Sequence, residues 1–242
     1  AAADAEVFSL ISKAVAHLDV HTSTGDIGIL MAAVHGLRTT SARKAALMRH
    51  IWRPRRFRAL LDRFAGRVPV PASRAALVEG DLPNDAPFIG KRSAREIDAR
   101  IQALKDDAAT DPISDGEMDI LSALLKVRET VPFALERLRD LAVDMPAIAA
   151  AVEGLDARAT AMSARGVDVE TLPFEASYGR TSMEYYDGFV FGIYVNGRPD
   201  LPTLASGGRY EALTRRLGQG AEIPVVGGVL RPGLIAEVEA TS

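Results

Sequence analysis

Between Ser182 and Val195 the sequence alternates as a strand does, and the side chains able to hold a ligand fall on one side of it. Successive strand residues point to opposite faces. Met183, Tyr185, Phe189, Phe191, Ile193 and Val195 therefore share one face with Asp187, while Glu184, Tyr186, Gly188, Val190, Gly192 and Tyr194 share the other. The first face is apolar and suits packing on helices. On the second, two glycines beside a carboxylate and a phenol leave space with polar groups at its edge. Either a small polar ligand lies there, or the glycines accommodate a bend or bulge at a sheet edge. Further on, Leu204-Ala205-Ser206-Gly207-Gly208-Arg209-Tyr210 leads from a second strand into a helix with Tyr210, Leu213 and Leu217 on one stripe. Paired glycines permit close backbone approach, or simply a turn. The segment lacks the Lys and Ser/Thr of a phosphate-binding loop.

Other clusters carry less chemistry. Arg43, Lys44, Arg49, Arg53, Arg55, Arg56 and Arg58 form a basic run with Trp52 and Phe57 among them and no acidic residue before Asp62. Such a run is an RNA contact, a protein interface or a solvated face. The net charge of -3 gives no overall attraction to polyanions, so a nucleic-acid partner is not expected. His17 and His21 are four apart, but Leu18 stands where a zincin motif has its glutamate and Val20 begins a strand-like run, so no metal is expected. His35 and His50 stand alone, and there is no Gly-x-Ser-x-Gly elbow. The chain has no Cys, which excludes disulfides, thiolate ligands and a Cys nucleophile and fits a reducing compartment. No apolar run approaches the roughly 20 residues of a membrane span, and the first residues lack a basic signal-peptide start. A cytoplasmic protein without a membrane partner is expected.

The elements that position these residues are legible in outline. With 242 residues, 48% of them hydrophobic and 6% aromatic, the chain fits one large domain or two small ones with much helix. Val7, Leu10, Ile11, Ala14, Val15 and Leu18 recur at helical spacing behind Asp4 as a candidate cap. Val20 to Thr24 reads as a strand closed by Gly25-Asp26, and Ile27 to Leu37 as the helix after it. From Thr39 to about Arg165 the pattern is helical. Ser93 with Glu96 and Ser114 with Glu117 have capping-box spacing, and Thr130 with Pro132 suits another helix start. Pro69, Pro71, Pro83 and Pro87 make Arg67 to Lys91 a connector. From Thr171 the period changes to two, with an Asn196-Gly197 turn. The fold class expected is α+β.

Glu184-Tyr185-Tyr186 with Gly188 and Val190-Phe191, followed by Gly207-Gly208-Arg209-Tyr210, together resemble the two histidine-binding signatures of histidyl-tRNA synthetases. Pro224-Val225-Val226-Gly227-Gly228 is similar to the strand leading into the third class II motif. Asp4-Ala5-Glu6-Val7 and Thr24-Gly25-Asp26 are similar to segments that follow the second. The resemblance implies a class II antiparallel sheet with flanking helices: 1–38 opens the synthetase-like domain, 39–165 is a large helical region, and 166–242 returns to the sheet with the histidine signatures. It also implies that the segments bearing the first two motifs lie before Ala1.

Departures from the synthetase pattern redirect the expected function. Thr181 stands where synthetases have an arginine for the activated carboxylate, and Arg180, one residue away, belongs to the other face of a strand. Leu234 stands in place of the arginine that contacts the nucleotide, and Gly192 in place of a glutamate. Adenylyl transfer depends on positioned positive charge. A synthetase fold without it resembles the regulatory subunits paired with short-form ATP phosphoribosyltransferase, which are needed for activity and help confer inhibition by histidine. The alternative is an active histidyl-tRNA synthetase. By resemblance Glu184, Tyr186, Arg209 and Tyr210 bind histidine. No catalytic residue and no cofactor are expected, and the partners implied are the short-form catalytic subunit, histidine, and further copies of this chain within a hetero-oligomer.

Overall fold

The computed structural model describes residues 1–80, 90–180, 186–221 and 223–241. Its elements follow in order: α1 (Ala2–Ala14), β1 (Val20–Asp26), α2 (Ile27–Gly36), α3 (Ser41–Arg49), α4 (Pro54–Phe64), α5 (Ala72–Glu79), α6 (Ala94–Ala108) and α7 (Asp115–Leu124). Then come β2 (Arg128–Thr130), α8 (Val131–Asp144), a 3-10 turn (Pro146–Ile148), α9 (Ala149–Ser163), β3 (Pro173–Glu175), β4 (Phe189–Val195), β5 (Ala205–Arg209), α10 (Glu211–Leu217), β6 (Val226–Leu230) and α11 (Pro232–Thr241).

The strands form one sheet in the order β2-β3-β1-β4-β5-β6. All neighbours run antiparallel except β1 and β3, which pair in parallel at Thr24 and Phe174. The sheet is thus the expected antiparallel one with a single parallel pair. The helical region supplies its outer edge, because β2 sits between α7 and α8. Three residues are too few to show a period of two, so neither β2 nor β3 has its own sequence signal.

The apolar face of β4 packs on helices, as its alternation predicts. Phe8 on α1 packs edge-on against Phe191, with ring centroids 5.1 Å apart, and against Phe189 at 6.1 Å. Ile29, Leu30 and Val34 of α2, Leu135 and Leu138 of α8 and Leu155 of α9 are buried in the same core. At roughly 1.5–3 kcal/mol per large apolar side chain, this layer is the main favourable term in holding the sheet.

Both capping boxes are formed: Ser93 and Ser114 accept from the backbone N–H of Glu96 and Glu117, whose side chains accept in return. Thr130 is the N-cap of α8 with Pro132 in its first turn, as expected, but without a side-chain cap bond. Three local expectations change. Asp4 is not a cap: Ala1 is, and Asp4 lies inside the first turn of α1, buried. Leu10 of the predicted stripe is exposed, and Phe8 takes its place in the core. The Arg67 to Lys91 connector contains a helix, α5, fitted between Pro71 and Gly80; Gly80 ends it at φ 86°, a left-handed conformation that glycine adopts without strain.

Candidate functional site

The glycines of β5 and β6 form two rows, one on each face of the sheet. Gly207 pairs with Gly228 and Gly208 with Gly227. A Cβ on Gly207 would meet the Phe191 ring at 2.5 Å, and one on Gly228 would press into the Ile11 side chain of α1. That row lets the helix layer approach the sheet. On the opposite face, a Cβ on Gly208 would meet the Tyr186 ring at 2.9 Å, and one on Gly227 the Tyr210 hydroxyl at 2.8 Å. Tyr186 and Tyr210 thus converge on the second row, with ring centroids 6.3 Å apart and tilted by 55°.

Each tyrosine is anchored by its neighbours. Tyr186 is buried, and its carbonyl accepts from Trp52 Nε1 at 3.1 Å, which ties the segment before β4 to the α3–α4 connection. The Asp187 carboxylate accepts from the backbone N–H of Glu211, at 3.0 Å, and of Ala212. It therefore caps α10 and fixes Tyr210 at that helix start. Ser206 lies on the same face as Gly208 by strand alternation. Its hydroxyl is buried and has no hydrogen-bond partner among the described residues.

The space expected over Gly188 and Gly192 is filled. The Tyr178 hydroxyl sits where a Cβ on Gly192 would project, and the Arg209 side chain covers Gly188 at 3.2 Å from such a Cβ. Tyr178 and Tyr194 join hydroxyl to hydroxyl at 2.8 Å, and His21 stacks on Tyr194 at 5.4 Å. Burial and that bond push the Tyr178 phenol well above the usual tyrosine range, so it stays neutral. Gly208 and Gly227 are covered too, by the Tyr186 ring and the Tyr210 hydroxyl, and Gly192 is closed by a contact from elsewhere in the chain. Strand pattern alone could not show this, because Tyr178 comes from a turn after β3.

Arg209 is on the helix-covered side. Its Nε donates to Asp4 at 2.7 Å and its Nη1 to Glu211. Asp4 also accepts from Arg158 Nε at 3.1 Å, while Arg158 Nη2 donates to Asp26 at 2.7 Å and the guanidinium lies 4.6 Å from the Phe189 ring centre. Of the expected histidine-binding residues, the fold brings Tyr186 and Tyr210 together and puts Arg209 behind the sheet. Glu184, with Thr181, lies outside the described residues.

Of the positions that depart from the synthetase pattern, Gly192 and Leu234 are described and both are packed, and Arg180, next to Thr181, has a packing role of its own. Arg180 is buried in the turn after β3. Its Nε donates to the Ile51 carbonyl at 2.8 Å and its guanidinium stacks 4.9 Å from the Phe57 ring centre. Burial draws its pKa down to about 10, so it remains a cation at neutral pH. Arg180 therefore supports the wall between α3 and α4 rather than standing in at position 181. Leu234 on α11 packs against the core, and Arg231 donates to the Thr203 side chain at 2.7 Å. Two of the four histidines have side-chain partners: His17 Nε2 lies 2.8 Å from Glu239, and His21 Nδ1 lies 2.6 Å from Asn196.

A single mixed sheet with helices packed on one face and a glycine-lined opposite face is the class II synthetase-like fold. Two solved structures share it. One is a Bacillus halodurans protein described as an ATP phosphoribosyltransferase regulatory subunit/histidyl-tRNA synthetase (TM-score 0.60, 19% identity, 98% of this chain and 49% of that one). The other is the histidyl-tRNA synthetase of Nostoc sp. PCC 7120 (TM-score 0.56, 16% identity, 98% and 46%). The family model described as histidyl-tRNA synthetase matches residues 94–232, more than half of the chain, and the chain belongs to that family. Among curated relatives, the ATP phosphoribosyltransferase regulatory subunit of Brucella anthropi is 28% identical over 240 residues, covering 92% of this chain and 63% of that protein. The Agrobacterium fabrum protein of the same name is 34% identical over 137 residues, covering 56% and 36%. The chain spans less than two thirds of the length of the curated relatives it matches.

Proposed function

We propose that this chain is part of a regulatory subunit of ATP phosphoribosyltransferase. It carries out no chemistry itself, but is required by a short-form catalytic subunit that condenses ATP with phosphoribosyl pyrophosphate, and it transmits inhibition by histidine. The regulatory-subunit names of relatives aligned along most of the chain support this reading. The structural observation that carries it is at the start of α11. Where a synthetase of the family holds its nucleotide-contacting arginine, Leu234 packs, partly buried, against the core, and nearby Arg231 is engaged by Thr203. Adenylyl transfer without that cation lacks the charge stabilisation it depends on.

Histidine binds on the second glycine row, between Tyr186 and Tyr210, with the Ser206 hydroxyl and Glu184 as further polar partners. Arg209 acts from behind the sheet, holding the β5–α10 connection that carries Tyr210. Inhibition requires that histidine bind differently to active and inactive states of the assembly. The subunit acts in the cytoplasm, as more than one copy within a hetero-oligomer.

The test is phosphoribosyl-ATP formation by a short-form catalytic subunit, with and without the full-length protein, then with histidine added. Stimulation that histidine reverses is expected. No stimulation, together with histidine-dependent ATP–pyrophosphate exchange by the full-length protein alone, would make it a synthetase.

A further inference from the structure

Away from the sheet, helices α3, α4, α5 and α6 enclose a cleft of about 950 Å³, within the size range of small-molecule sites. Five arginines line it, Arg43, Arg49, Arg63, Arg74 and Arg100, against two carboxylates, Asp106 and Asp107. Leu60, Leu77 and Leu104 supply apolar lining between them.

One arginine is structural. Arg43 is buried, and donates to the Asp107 carboxylate at 2.6 Å and to the carbonyls of Asp107 and Asp111 at 2.7 and 2.8 Å, which fastens α3 to the end of α6. Asp107 is thereby engaged, and Arg63 reaches it only at 3.6 Å. Asp106 accepts from Gln102 at 2.8 Å. Among the described residues, Arg49, Arg74 and Arg100 form no ion pair, and Arg63 Nε is buried without a hydrogen-bond partner. Burial and the neighbouring Arg74 and Arg43 hold the Arg63 pKa below its usual range, more than Asp107 offsets. Cations gathered in a partly buried cleft repel one another, and an anion with several charges relieves that repulsion. A single carboxylate is too little for the excess; a phosphate chain matches it in charge and in its fit to planar guanidinium donors.

We propose that this cleft binds a phosphorylated small molecule, its phosphates held by Arg63, Arg74 and Arg100 and its less polar part lying against Leu60, Leu77 and Leu104. The site is distinct from the glycine-lined face and stands independently of the histidine reading. It also divides the basic run of the sequence. Arg43 and Arg49 face the cleft, whereas Arg58 pairs with Asp62 on α4.

Calorimetric titration of the full-length protein with inorganic pyrophosphate and with tripolyphosphate, at matched ionic strength, tests this. Saturable binding is expected. R74A and R100A remove partly or fully exposed side chains, so the fold, checked by circular dichroism, is retained. Each should weaken binding about ten- to a hundredfold, the loss of one charge-assisted contact. The control R128A, on β2 and outside the cleft, should bind as the parent does. Absence of saturable binding, equal affinity in R74A and R100A, or equal loss in R128A would overturn the proposal. So would an RNA duplex that binds and is not displaced by either phosphate probe.

Discussion

Asp4 holds three elements together. Its side chain is 1% exposed and accepts from Arg158 and Arg209, which joins α1, α9 and β5. Through Arg158 the chain of charges continues to Asp26, the N-cap of α2, whose carboxylate also accepts from the Gly28 N–H at 2.8 Å. Charges taken out of water are tolerated because each has partners, and removing one partner leaves another buried and uncompensated. Replacing Arg158 with Met keeps much of the apolar stem but takes the cation away from buried Asp26 and one of its cations from buried Asp4. We expect a loss of about 3–5 kcal/mol in urea unfolding. Gly208→Ala acts by crowding instead. The new methyl meets the Phe189 carbonyl and the Tyr186 ring together, so a destabilisation of about 1–3 kcal/mol is expected by the same measurement, along with altered Tyr186 packing.

Among the elements, α7 shows how a local signal is put to long-range use. Ser114 and Glu117 close the capping box, and Glu117 also accepts from the Arg38 N–H at 2.6 Å, which ties the start of α7 to the residues just after α2. Ser114→Ala should cost about 0.5–2 kcal/mol, read from thermal or urea unfolding. The pH response follows from Glu117. Burial pushes its pKa up, but the Arg38 N–H and the Ser114 hydroxyl and N–H pull it down further, so the net shift is below the ordinary 4.5. A carboxylate lowered in the fold stabilises fully above its unfolded pKa, and that contribution is lost as pH falls below about 4.5 and through the folded value. In Glu117→Gln the acid limb of a stability-against-pH curve should be shallower. If it is unchanged, the bonds to Glu117 do not favour its charged form. Signals of this kind were legible because they need only three or four residues: the capping boxes, the apolar face of β4 and the Gly-Gly pair all lie in local pattern. What was not legible joins distant segments. Arg158 is one cation in an Ala-rich helix, Tyr178 reaches Gly192 from a turn, and α5 is concealed between prolines. Arg209 was read from its motif as a ligand contact, and strand alternation beside Gly208 places it on the reverse face.

For the whole molecule, one sheet serves two separate purposes. The Gly207–Gly228 row admits α1 closely enough for Phe8 and Ile11 to seal the core, and the Gly208–Gly227 row leaves Tyr186 and Tyr210 at the opposite face. A ligand on that second face can shift an assembly only by its differential affinity for the two states, and couplings of this kind are typically 1–3 kcal/mol. Position 227 lies on the edge strand β6, so filling it perturbs the Tyr210 hydroxyl, at 2.8 Å from the added Cβ, with little cost to the core. Gly227→Leu in the full-length protein should therefore leave the thermal unfolding midpoint close to that of the parent. Histidine binding measured by calorimetry should weaken about tenfold or more, a change of about 1.4 kcal/mol. The histidine concentration that inhibits phosphoribosyl-ATP formation should rise by a similar factor, because inhibition follows occupancy of the site. Unchanged binding in a folded Gly227→Leu protein would place the histidine site elsewhere. Weakened binding without a shift in inhibition would mean that occupancy of this face is not what the catalytic subunit senses.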